Sequence, residues 1–200
     1  IRLNERQWRP IEFRNQKTDL ENCAAIARQT FDEIARTTGV VRRFEVVHAR
    51  MMEAIASASV EGDVVVLVEP RSPAQFAQET FAEAVAAALA TPAAVMVVPS
   101  PVARERGHIL AVSETAEDES VVSAAAIAAA ANERLEIVAT TDRDAPTLAP
   151  RSARGGERMI VMTRRISARL TPLSIMAGRR VPVLVLGMSD GPPPVGTTNE

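Results

Sequence analysis

Two rhythms alternate along the chain. Short runs of Val, Leu, Ile and Met stand between longer Ala-rich stretches whose apolar residues recur at helical spacing. The runs predict strands at 43–47, 64–68, 94–98, 109–112, 135–139, 159–162 and 181–186. Helices are predicted over 18–38, 49–59, 74–89, 121–132 and 166–177. In the first helix Thr18 or Asp19 is the expected cap, with Glu21 as capping-box partner for Thr18. Ala24, Ala27, Phe31, Ile34 and Ala35 share one of its faces, and Gly39 is a stop signal. Phe76, Phe81, Val85 and Leu89 line one side of the third. The unbroken Val64-Val65-Val66-Leu67-Val68 run is the pattern of a strand covered on both faces. Pro172 fits a helix only in its first turn, which moves the start of the last helix to about Thr171, and Gly178 is its expected end. Residues 1–14 lack a clean period and read as an irregular lead-in anchored by Trp8, and 140–157 reads as a long loop. Strands that alternate with helices imply a parallel sheet with right-handed crossovers.

Composition narrows the core and the partners. Apolar residues make up 46% of the 200 and aromatics 3%, with no Tyr, so the core is built from Ala, Val, Leu, Ile and Met. The formal charge is −2, which gives no global field for nucleic acid or an anionic membrane. No stretch reaches the roughly 18 apolar residues that a spanning helix needs. Cys23 is the only cysteine, which excludes an internal disulfide and suits a small core residue rather than a reactive thiol. With no visible signal peptide, a cytoplasmic location is expected.

The two halves of the chain end alike. Val64–Val68, a helix and then Ala94–Val98 parallels the 159–162 run, a helix and then 182–186. These stretches resemble the universal stress protein family. Residues 39–47, 51–59 and 62–67 are similar to that family's third strand, third helix and fourth strand. Residues 81–98 are similar to its last helix and last strand. Residues 108–113, 117–132 and 135–138 are similar to its opening strand–helix–strand. The resemblance covers most of residues 18–187 and rests on the order of the stretches. It implies an α/β fold of the adenine nucleotide alpha hydrolase-like type, with mostly parallel open sheets and covering helices in two similar units. Residues 1–101 look like a first unit that lacks its opening strand–helix–strand. Residues 107–187 look like a second, shortened unit, and 188–200 like a disordered tail. On this reading the missing piece lay upstream of Ile1. The incomplete first unit then leaves a sheet edge for the second unit or another chain to cover.

ATP-binding members of that family use an Asp after the first strand and a glycine-rich stretch after the fourth. Glycine lets backbone N–H groups approach phosphate oxygens. Here Ser113 stands at the Asp position. Glu69, Pro70, Arg71 and Ser72 follow the fourth strand of the first unit, Phe81-Ala82 takes the Gly-Ser place, and Thr163, Arg164 and Arg165 follow the corresponding strand of the second. The resemblance therefore implies a degenerate nucleotide site, with no cofactor expected and ATP or AMP as the alternative. Arg151, Arg154, Arg158, Arg164, Arg165 and Arg169 gather around Gly155-Gly156, at the strand end where open α/β sheets bind ligands. Ser113, Arg154, Gly155, Gly156, Thr163, Arg164 and Arg165 are the resulting anion or nucleotide candidates, and a solvated basic loop is the alternative.

No other pattern assigns chemistry. His48 and His108 lack metal-ligand company, and Ser113 lacks the G-x-S-x-G context of a hydrolase elbow. Glu117-Asp118-Glu119 suits the positive end of a helix dipole, and Met51-Met52 suits core filling. No catalytic or metal residue is expected. The expected function is that of a non-enzymatic stress-response or regulatory protein acting by self-association or protein binding. The expected contact is a sheet edge at 95–98 or 183–186, in a homodimer or an intramolecular pseudo-dimer. The alternatives are a nucleotide or small-anion binder using 151–169, and an enzyme related to the nucleotide alpha hydrolases.

Overall fold

A computed structural model describes residues 13–39, 41, 43–71, 74–140 and 156–187, without the side chains of 13–20, 75 and 76. The lead-in at 1–12, most of the 140–157 loop and the 188–200 tail lie outside the described residues. The chain divides into two compact units, Ile1–His48 and Ala49–Glu200.

In the first unit helix α1 spans Phe13–Thr38, so Thr18 and Asp19 lie within it rather than at its cap. Gly39 follows at φ 67°, a left-handed conformation that a side chain would strain. Ala35 is buried and Phe31 half-buried, whereas Ala27, Ile34 and Cys23 of the expected inner surface are exposed. The 43–47 run is not a strand. Phe44 turns back onto Phe31, with ring centroids 5.7 Å apart, and Arg28 lies 5.1 Å from the Phe44 ring centroid. Val46 and Val47 are left exposed. A Val-rich run has high strand propensity, but without a partner ladder that propensity is not realised.

The second unit contains α2 (Met51–Ala58), β1 (Val64–Val68), α3 (Gln75–Leu89), β2 (Ala94–Val98), β3 (His108–Ser113) and α4 (Glu119–Ala131). It continues with β4 (Leu135–Ala139), β5 (Glu157–Met162), α5 (Arg164–Ser167), α6 (Pro172–Arg179) and β6 (Val183–Val185). The six strands form one sheet in the order β1-β2-β6-β5-β3-β4. Four of the five ladders are parallel; β2 and β6 pair antiparallel. The boundary expected between residues 101 and 107 falls inside this sheet, between β2 and β3.

The predicted 166–177 helix is two helices. Pro172 stands at the N-terminus of α6, where its missing N–H costs nothing. That helix passes through Gly178 and ends at Arg180, which is left-handed at φ 56°. Asp118 starts α4 by accepting from the Ser120 N–H at 2.9 Å.

Two apolar layers sandwich the sheet. One joins Phe81 and Val85 of α3, Ile166 of α5 and Met176 of α6 to the inward residues of β1, β2, β6, β5 and β3. The other joins Ala124 and Ala128 of α4 to Ile109, Ala111, Val161 and Leu184. Small residues on α4 let that helix sit close to the strands.

Two expectations are corrected. Strand β1 is covered on one face only: Val64, Val66 and Val68 are 52%, 53% and 59% exposed, because α4 lies over the far half of the sheet. The strands at 95–98 and 183–186, expected as a contact edge in a homodimer or an intramolecular pseudo-dimer, pair with each other at the sheet centre with the register Val95↔Val185, Met96↔Leu184 and Val97↔Val183, so they are not open to another chain. Their backbone groups are consumed within the chain. The true edges are β1 and β4.

A buried ion pair fixes the start of β5. Glu157 is 1% exposed; Oε1 lies 3.3 Å from an Arg179 guanidinium nitrogen, and Oε2 accepts from the Gly156 N–H at 3.0 Å. Removing one partner strands a charge in the interior. Arg179→Met should therefore lower unfolding free energy by about 3–5 kcal/mol, and adding Glu157→Met should recover part of the loss. Urea denaturation midpoints of both variants check this.

Candidate functional site

Strands β3 to β6 follow the spatial order β6-β5-β3-β4, so the chain leaves β3 toward one side of the sheet and β5 toward the other. Helix α4, after β3, packs on one face; α5 and α6, after β5, pack on the opposite face. Between the carboxyl ends of β3 and β5 the layers part, which is where open α/β sheets bind ligands.

Four of the sequence candidates meet there. Ser113 closes β3, and Thr163, Arg164 and Arg165 follow β5. Ser113 and Thr163 lie one step beyond the register pair Val112↔Met162, so alternation puts both hydroxyls on the α4 face. Ser113 Oγ and Thr163 Oγ1 are both buried and have no hydrogen-bond partner. A buried hydroxyl without a partner costs stability.

The surrounding polar groups are committed to the fold. Asp118 Oδ2 accepts from the Glu114 N–H at 3.3 Å, and Oδ1 accepts from the Ser120 hydroxyl at 2.7 Å. The same Ser120 hydroxyl reaches the Val112 carbonyl at 2.9 Å. Thr140 donates its N–H to the Ser113 carbonyl at 2.8 Å, which holds β4 against β3. These bonds make the 114–118 turn a fixed wall.

The arginines do not converge on a free anion site. Arg164 turns under the sheet and donates to the carbonyls of Leu89 and Ala93, tying the end of α3 to the start of β2. Burial pushes its guanidinium below the ordinary arginine value. Its Nε is buried and unpartnered. Arg165 and Arg169 both bond Glu114. Arg154 and Gly155 lie outside the described residues.

Gly156 departs from the expectation. It precedes β5 and packs against His108, at the amino end of the strands, so the length of β5 separates it from Thr163. Gly156 and Arg158 therefore sit at the opposite end of the sheet from Arg164 and Arg165. At that end an open groove of about 1060 Å³ is lined by Arg104, Arg106 and Arg158 with Glu105 and Glu133. Glu133 accepts from the Gly107 N–H at 3.2 Å, and His108 Nε2 lies 3.2 Å from Glu136 on β4.

Glu157 and the stapling role of Arg164 are features that sequence reasoning missed. Asp118 was legible as a helix-start signal. A single Glu at the head of an apolar strand and an Arg after its end carry no periodic signal.

Among the described residues no group of three or more His, Cys, Asp and Glu side chains is placed to hold a metal ion, and no helix is long and apolar enough to cross a membrane. Comparison with protein-family models, curated proteins and solved structures finds no match.

The different duties of neighbouring arginines can be measured. Arg164→Met strips two carbonyls of a charged donor and should cost about 2–3 kcal/mol. Arg165→Ala removes an exposed ion pair and should change stability by less than about 0.5 kcal/mol. Chemical denaturation of the two variants should give that order.

Proposed function

We propose that the chain is a non-catalytic association module of the universal stress protein type, which binds a further polypeptide at the uncovered edge and face of β1. The observation that carries this reading is the coincidence of two open features on one strand. Among the described residues β1 has a single neighbour, β2, and its Val64, Val66 and Val68 side chains stand exposed on one face. An edge strand presents unpaired backbone groups, and an apolar face beside it adds a driving force for association.

The polar geometry favours association over catalysis. Arg164 and Glu114 already have partners, and no base is bonded to Ser113 or Thr163. The segment after β5 offers no glycine cradle, and the four-residue α5 follows Thr163 directly, so the residues present do not fit a triphosphate.

The family resemblance also gives a reading of the sheet as two related halves joined at β2–β6. With Met96 matched to Leu184, the ladder pair Val66↔Met96 corresponds to Val161↔Leu184. Inward residues then match inward ones: Val65 and Leu67 with Ile160 and Met162, all packed in one layer with α3, α5 and α6.

Val66→Lys tests the association reading. In sedimentation velocity over about 5–200 µM, wild-type protein should show weak concentration-dependent self-association, because among the described residues nothing pairs with the outer side of β1. The variant should sediment as a monomer with Tm changed by no more than about 2 °C. Association that survives Val66→Lys would contradict the reading.

The two unpartnered hydroxyls favour a second reading, in which a small anion or nucleotide binds beside Ser113 and Thr163. It predicts that inorganic phosphate or AMP, at a hundredfold excess over its Kd, raises Tm by roughly 5–10 °C. Ser113→Ala with Thr163→Val should abolish the rise. A flat response of the wild type to millimolar phosphate, AMP and ATP removes this reading.

A further inference from the structure

The β1 edge has a filled counterpart within the same sheet. About the antiparallel β2–β6 pair, β1 corresponds to β5 and Val66 to Val161. The two valines differ in burial. Val161 is 0% exposed because β3 pairs with the outer side of β5 and Ala124 and Ala128 of α4 close over it. Val66 is 53% exposed because, among the described residues, nothing takes those two places beside β1.

Resting on the association reading, we propose that the occupant of β1 is a strand–helix segment of another polypeptide, outside residues 1–200, with the chemistry of β3–α4. It adds a parallel apolar strand to the outer side of β1 and lays a helix of small residues over Val64, Val66 and Val68.

The backbone is poised for that addition. The Ala94 N–H donates to the Asp63 carbonyl and the Glu69 N–H to the Val98 carbonyl, at 2.9 and 2.8 Å. The period of two in a parallel ladder then turns the N–H groups of Val65 and Leu67 toward β2 and those of Val64, Val66 and Val68 outward. The residues with free amides are the residues with bare side chains, so one segment satisfies both.

A second copy is the poorer occupant. Antiparallel pairing of two β1 strands centred on Val66 uses the amides but leaves both valine rows bare and joins them into a larger uncovered face. It also sets Asp63 opposite Glu69, like charges across a ladder. A strand–helix segment covers edge and face together, as β3–α4 does for β5.

A peptide with the sequence of residues 107–132 is the probe, titrated as a fluorescent ligand into the full chain. The expected result is one peptide bound per chain, with Kd of about 1–50 µM, and at least tenfold weaker binding to Val66→Lys. Exchange of the Val64, Val66 and Val68 amides should slow by about tenfold or more on binding, while β4 amides stay unchanged. A scrambled peptide should not bind. Equal binding to Val66→Lys, which means that the peptide replaces native β3, overturns the proposal, as does no binding at about 200 µM. If the peptide fails while self-association remains sensitive to Val66→Lys, the occupant is a second copy: this inference falls and the association reading stands. If neither self-association nor peptide binding responds to Val66→Lys, both fall.

Discussion

The antiparallel β2–β6 junction is the constraint on which the rest of the second unit depends. It bonds two parallel runs into one sheet and sets them in opposite directions. Val95, Val97, Val183 and Val185 are all fully buried there, so the seam is as dry as a domain core. Because the runs oppose each other, the carboxyl ends of β1 and β2 lie at the opposite end of the sheet from those of β3 and β5. No single crevice gathers the loops of both. The junction also decides which strands are left outermost. Right-handed crossovers place α3, α5 and α6 on one face and α4 on the other, so among the described residues one half of the second face is covered and the half over β1 is bare.

Charge in this protein is mainly spent on holding loops to strands. Arg164 ties α3 to β2 through two carbonyls, and Glu157 and Arg179 tie β5 to α6. Glu69 bonds Arg180 at 2.7 Å and accepts from the Ser100 N–H at 2.9 Å, joining the end of β1 to the turn before β6. These pairs sit at the ends of elements, where unpaired backbone groups concentrate. Of the basic run after β5, Arg164 becomes internal bracing, and Arg165 and Arg169 pair with Glu114. Among the described residues, β1 offers apolar surface and an outer strand edge, and Ser113 and Thr163 offer two buried hydroxyls.

Much of the element pattern was legible in the sequence. The strands at 64–68, 94–98 and 135–139 match to the residue, because short apolar runs bounded by polar or turn residues leave little choice. Pro172 marked the start of the last helix. Three things were not legible. The 43–47 run has strand composition, but the need for a partner ladder is non-local. The one-sided burial of β1 cannot be read from five apolar residues in a row, since such a run suits two covered faces or one. The pairing of β2 with β6, expected only as the pseudo-dimer that the resemblance implies, brings together residues nearly ninety apart in sequence through backbone bonds, which no side-chain period reports. At the candidate site Ser113, Thr163, Arg164 and Arg165 were placed at the right end of the sheet. Gly156 was not, because its position depends on where β5 begins.

Amide hydrogen exchange across β1 in the isolated monomer tests the central claim most directly. An open outer edge predicts an alternating record: Val65 and Leu67 protected by β2, and Val64, Val66 and Val68 exchanging faster by about a hundredfold or more. Uniform protection along all five residues would contradict it, since the outer side of β1 would then already be paired.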